Sequence, residues 1–175
     1  MTQTFALYVD DKAGVLNRVV SLFRRRMLNI ESLTAGRSEI PGVSRMTVVV
    51  DTDEYGAHRL AANLNKLMAV RRVDRLASES SISTELALIK VAMPEDARTE
   101  VNRFLDAHRA RIVSAHPDRL VIETTGTSDE IDGVLTLLRP YGVVEVVRTG
   151  RVAMADARRA GRQPVARALP AVAMK

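Results

Sequence analysis

The sequence predicts an α+β chain built as two ferredoxin-like βαββαβ domains in tandem. Three observations carry that prediction. Segments with period-2 and period-3.6 hydrophobicity follow one another in the order β-α-β-β-α-β. The same order then runs a second time after a polar stretch, Ser78-Glu79-Ser80-Ser81-Ile82-Ser83-Thr84. A length of 175 residues with 46% hydrophobic content suits one domain or two small ones.

Thr4–Val9 reads as a strand. From Gly14 the pattern turns helical, with Val15, Leu16, Val19, Val20 and Phe23 sharing one face. Arg24–Arg26 closes this helix, where cations suit the dipole. Leu28–Gly36 is extended again. The turn Glu39-Ile40-Pro41-Gly42 follows, then the β-branched run Val43–Val50. Asp53 is placed to cap a second helix, with Ala57, Leu60, Ala61, Leu64, Leu67 and Met68 facing inward. Val70–Ala77 completes the first set.

In the second set Leu86–Met93 is a strand, and Glu95–His108 a helix with Val101, Phe104 and Leu105 inward. Arg111–Ala115 and Arg119–Thr124 form a hairpin through His116-Pro117-Asp118. Thr127 and Glu130 have capping-box spacing for a helix carrying Ile131, Val134, Leu135 and Leu138. Pro140 stops it, and Val143–Arg148 is the last strand. The predicted bounds are 1–78, 79–158 and a basic tail, 159–175. Each domain alone would be marginal at roughly 80 residues, which favours an oligomer.

Composition removes several function classes. There is no cysteine, so disulfides, thiol nucleophiles and cysteine-based metal sites drop out, and a cytoplasmic location is expected. No apolar run approaches the ~20 residues of a membrane span, and no signal peptide is visible. The pI near 10.1 invites a nucleic-acid reading, but the basic residues are not spread over the body. From Arg148 onward seven cations face one acid, Asp156, leaving a charge of −1 on residues 1–147. A balanced body does not look like a nucleic-acid surface.

The chain offers little catalytic chemistry. His58, His108 and His116 share no metal-ligand spacing, and no P-loop, G-x-G-x-x-G, G-x-S-x-G or H-E-x-x-H occurs. Acid clusters at Asp51/Asp53/Glu54, Glu95/Asp96 and Asp129/Glu130/Asp132 lie at helix starts, where they suit the dipole. No catalytic, metal or cofactor-binding residue is assigned. Asp10/Asp11 differs because it precedes the Gly14 loop, and the pair fits either a structural cap or contact with a ligand ammonium. Gly14 lacks a Cβ, so a ligand can come close to the backbone. Asn29 fits a turn cap or a ligand contact equally well.

Residues 10–33, DDKAGVLNRVVSLFRRRMLNIESL, carry one more signal. Gly14, Leu16, Arg18, Val19, Leu22, Phe23, Arg26, Asn29, Ile30, Glu31, Ser32 and Leu33 match in register a pattern N-x-x-G-x-L-x-R-[IV]-x-x-L-F-x-x-R-G-[YF]-N-I-E-S-L. Ser44-Arg45-Met46-Thr47 matches a second signature. Leu88-Ile89-Lys90-Val91, Gly126-Thr127, Ile131-Asp132, Val144-Glu145-Val146 and Arg148-Thr149-Gly150 extend the likeness to about residues 3–158. The chain resembles the regulatory small subunits of acetolactate synthase (acetohydroxyacid synthase).

The resemblance implies an N-terminal ACT domain followed by a C-terminal small-subunit domain. It implies a non-catalytic subunit of branched-chain amino acid biosynthesis that activates a separate catalytic subunit and confers feedback inhibition by valine or a related amino acid. Thiamine diphosphate, Mg and FAD are then expected on that catalytic subunit, with none on this chain. The family pattern places the effector between paired ACT domains of a homodimer. Asp11, Gly14, Val15 and Leu16 would come from one chain, Asn29 and Ile30 from the other. Two positions depart from the pattern: Asp11 stands for an asparagine and Met27 for a glycine. The rivals are an amino-acid-responsive ACT regulator of another enzyme or of transcription, and a small ACT-fused enzyme. The first lacks an evident DNA-reading element and the second a catalytic constellation.

Overall fold

The computed structural model describes residues 1–92, 101, 105 and 107–158. The helix expected over Glu95–His108 and the tail 159–175 therefore fall largely or wholly outside the described residues. So do Phe104 and the Glu95/Asp96 pair, whereas Val101 and Leu105 are helical and buried. The chain divides into two compact units: Met1–Ile82 with Ala153 and the described residues after it, and Ser83–Val152.

The first unit holds β1 (Thr2–Asp10), α1 (Val15–Arg25), β2 (Ile30–Arg37), β3 (Val43–Asp51), α2 (Glu54–Leu64) and β4 (Val70–Leu76). Its strands line up as β2-β3-β1-β4, all neighbours antiparallel. Alternation along β1 and β3 sends Phe5, Leu7, Val9, Met46, Val48 and Val50 inward. They meet Val15, Val19, Leu22 and Phe23 of α1 and Ala57, Leu60 and Leu64 of α2. This is the ferredoxin-like arrangement, with helices on one face of the sheet.

The second unit repeats that order. β5 (Ser81–Ala92), β6 (Ala110–His116), β7 (Arg119–Gly126), α3 (Ser128–Leu138) and β8 (Val143–Arg148) give strands in the order β6-β7-β5-β8. Ile89, Val91, Leu120, Ile122, Ile131, Val134 and Leu138 fill its core. Thr127 and Glu130 form the reciprocal capping box that their spacing predicts. The tandem ferredoxin-like α+β class holds.

The differences have local causes. Met68 is 97% exposed rather than inward, because α2 ends at Leu64 and its periodicity stops with it. Leu16 and Val20 stay exposed at 44% and 36%, since they lie about 100° round α1 from Val15 and Val19, at the margin of the face that α1 buries. The polar stretch at 78–84 is a 3-10 turn, Ser78–Ser80, followed by the first residues of β5. A further strand, β9 (Val152–Ala155), pairs with β5, and Asp156 N–H donates to Ser80 O at 3.0 Å. At four residues, β9 is too short for alternation to be visible.

Candidate functional site

The β1–α1 loop is fixed from both sides by the backbone. Asp10 N–H donates to Ala69 O at 2.9 Å and Asp11 N–H to Gly42 O at 3.0 Å. The Asp10 carboxylate accepts from Arg71 Nε at 2.6 Å, which leaves Asp11 as the acid facing outward from the loop. Ser44 Oγ donates to Asp11 Oδ1 at 3.2 Å. Each residue of the Ser44-Arg45-Met46-Thr47 signature thus has a place. Ser44 holds Asp11, Arg45 lies over the Tyr8 ring at 5.8 Å and donates to Ala153 O, and Met46 and Thr47 are buried.

Gly14 is the N-cap of α1, at φ 81° and ψ −5°, in the left-handed region. L-residues adopt that region at a cost of about 1–2 kcal/mol. A Cβ added there would meet nothing within 4 Å, so the space above the backbone is open. A glycine cannot cap with a side chain, and the first turn of α1 contains no acid. Val15 N–H reaches Lys12 O at 3.3 Å, but the N–H groups of Leu16 and Asn17 have no acceptor among the described residues. The other two described helices are capped, α2 by Asp53 accepting from Gly56 N–H at 2.6 Å and α3 by its box. The free donors of α1 form a small anion cradle.

The expected site residues fall into two groups. Asp11, Gly14, Val15 and Leu16 gather at the loop, with Val15 buried and Leu16 exposed. Asn29 is exposed and Ile30 half-buried where β2 begins, and Ile30 pairs with Val50. The register places those two residues at the other end of the sheet. Val50 stands opposite Gln3, whereas the loop leaves β1 at Asp10, opposite Val43. Seven strand residues at roughly 3.3 Å each separate the two levels. One chain does not bring the groups together. Sequence reasoning passed over Asn17 as a donor; the missing cap and the acid-free first turn were the signal for it.

Two family models cover most of the chain. Residues 5–72 match the AHAS small subunit-like ACT domain, and residues 84–157 match the small subunit of acetolactate synthase. The acetolactate synthase small subunit of Bacillus subtilis is 41% identical over 156 residues, 89% of this chain and 91% of that one. The chain belongs to the acetolactate synthase small-subunit family. The small subunit of Mycolicibacterium smegmatis is 39% identical over 153 residues, covering 87% of this chain and 90% of the relative. The crystal structure of the small subunit from Thermotoga maritima superposes with a TM-score of 0.83 at 33% identity, spanning 89% of this chain and 97% of that one. An ACT domain therefore supplies the Gly14 loop in this small-subunit fold. Among the described residues there is no group of three or more acids or histidines able to hold a metal, and no helix long and apolar enough to cross a membrane.

Proposed function

We propose that the chain is the regulatory subunit of an acetolactate synthase in branched-chain amino acid biosynthesis. It raises the activity of a catalytic large subunit and lowers it again when valine or a related amino acid binds. The family supports the partner. The feedback half of the reading rests on one observation, the pair of free N–H groups at Leu16 and Asn17 beneath the open space at Gly14.

In this reading residues 1–78 are the effector domain, 79–158 the second domain and 159–175 a basic tail. The effector carboxylate accepts from Leu16 and Asn17, where charge assistance strengthens the bonds. Its ammonium meets the Asp11 carboxylate, which Ser44 steadies. Its short apolar chain lies against Leu16 and against Ile30 of the partner subunit, with Asn29 of the partner subunit closing the cleft. The homodimer joins ACT domains through the exposed β2 edge and the uncovered Leu16 and Val20 of α1. Thiamine diphosphate, Mg and FAD belong to the catalytic subunit, which carries out the carbon–carbon bond formation.

Co-expression with the catalytic subunit of the same organism tests this. Co-purification and a rise in acetolactate formation are expected, with valine reversing the rise. Failure to co-purify and to activate overturns the reading.

A further inference from the structure

A second concave site lies on the first unit, at the end of the sheet where α1 finishes and α2 starts. It has a volume of about 210 Å³. Leu28 and Leu60 form its apolar wall, and Arg26, Arg59, Tyr55 and Asn63 supply its polar edge. Neither guanidinium has a carboxylate within ion-pair distance among the described residues. The neighbouring acids are already engaged: Asp53 caps α2 through Gly56 N–H, and Glu54 accepts from Arg75 at 2.7 Å. Arg59 stands over the Tyr55 ring at 5.5 Å, and its carbonyl accepts from the Asn63 amide at 2.8 Å. Two of the last carbonyls of α1, those of Phe23 and Arg24, are taken by the N–H groups of Leu28 and Met27.

We propose that this pocket binds a small organic anion without an ammonium group, a carboxylate on a short apolar chain. Two guanidiniums with no acid in the wall select negative charge, and their forked N–H groups suit a carboxylate. An amino acid is disfavoured, because its ammonium would face two cations and find no acceptor carboxylate. This is the reverse of the Gly14 loop, where Asp11 provides that acceptor. The leucine wall takes the apolar chain. Pockets for drug-sized ligands run from about 300 to 1,000 Å³, so this one fits a smaller molecule. The proposal does not depend on the effector reading.

Amide NMR of the isotope-labelled full chain tests it with three probes: 3-methylbutanoate, valine and inorganic phosphate. 3-Methylbutanoate is expected to shift the amides of Tyr55, Gly56 and Leu60 in a saturable, salt-sensitive manner. Valine should leave those amides unmoved at equal concentration, and phosphate should bind at least fivefold more weakly for want of an apolar chain. Arg59→Gln should weaken 3-methylbutanoate at least tenfold. Arg59→Lys, which keeps the charge without the fork, should fall between. Arg59 is exposed, so neither change threatens folding, and the rest of the amide spectrum verifies this. Absence of saturable shifts, equal response to valine, phosphate binding as tight as 3-methylbutanoate, or indifference to Arg59→Gln would each overturn the assignment.

Discussion

Leu28 donates its backbone N–H to Phe23 O at 3.1 Å, closing the end of α1 over a residue, Met27, held at φ 54°. Met27 N–H reaches Arg24 O at 3.1 Å, and Leu28 packs on the core that contains Phe23. These bonds are a Schellman ending with a methionine where glycine is usual. The Met27 side chain is 91% exposed and contributes little packing. Met27→Gly should therefore stabilise the chain by about 1 kcal/mol, through relief of the left-handed backbone. Urea unfolding should show a higher midpoint with an unchanged slope.

Glu85 is buried and receives Arg148 through two nitrogens, Nε at 3.0 Å and Nη2 at 2.7 Å, while Ser128 Oγ also donates to it. Arg148 reaches Asp132 at 2.7 Å as well, joining β5, α3 and β8 of the second unit. Removing one member of such a pair strands the other charge away from water. Arg148→Met should cost about 3 kcal/mol, the lower end for a broken buried pair because Ser128 remains. Replacing both Glu85 and Arg148 by apolar residues should recover much of that loss, as thermal unfolding of the three variants would report.

Glu130 accepts from Thr127 N–H at 2.7 Å, and that backbone bond, followed by a hydrogen bond between the Thr127 side chain and the carboxylate, holds its carboxyl below the ordinary 4.5. The folded state then binds this proton less readily than the unfolded state. Its contribution is complete above about 4.5 and is lost as the pH falls through the depressed folded value. Glu130→Gln should flatten that part of the acid limb and lower the plateau near neutral pH by the contribution of the ionised carboxylate. Acid titrations followed by circular dichroism would show it.

The fold was legible because both halves keep local pattern and tertiary demand in agreement. Asp53, Thr127 and Glu130 announce helix starts that the structure builds, and the β-branched run at 43–50 becomes β3 almost residue for residue. Met68 failed for the opposite reason: apolar character at helical spacing continued past the point where the helix stopped. The loop at Gly14 could be placed from sequence, and its left-handed φ agrees with a position that needs no Cβ. Which N–H groups stay free could not be read, because that depends on Lys12 O taking the Val15 N–H. The two-ended distribution of the site residues followed from the family pattern rather than from any periodicity, and the strand register explains it physically.

Gly14→Asp should abolish effector binding by two routes. Its carboxylate sits at the N-cap, where it accepts from Leu16 and Asn17 N–H in place of the effector. Its charge also opposes the incoming carboxylate. Aspartate tolerates the left-handed region better than most residues, so folding should survive. Calorimetry should show valine binding weakened at least tenfold, with activation of the catalytic subunit retained. Undiminished binding would remove the loop from the site.

The strand register yields a sharper test. Asp10 and Ile30 lie at opposite ends of one sheet, and α1 between them spans about 16 Å for its eleven residues at ~1.5 Å each. In the proposed reading, a complete effector site takes its loop from one chain and its Asn29 from the other. Gly14→Asp and Asn29→Ala homodimers should each bind valine at least tenfold more weakly than the unaltered protein. A mixed dimer of the two variants, isolated with two different tags, carries one doubly altered site and one unaltered site. It should bind valine with near-normal affinity at half the stoichiometry. Complementation of this kind cannot arise if each chain builds its own site, because every site would then hold one defect. Calorimetric stoichiometry near one per mixed dimer is the expected result, and no recovery on mixing would place the whole site within a single chain.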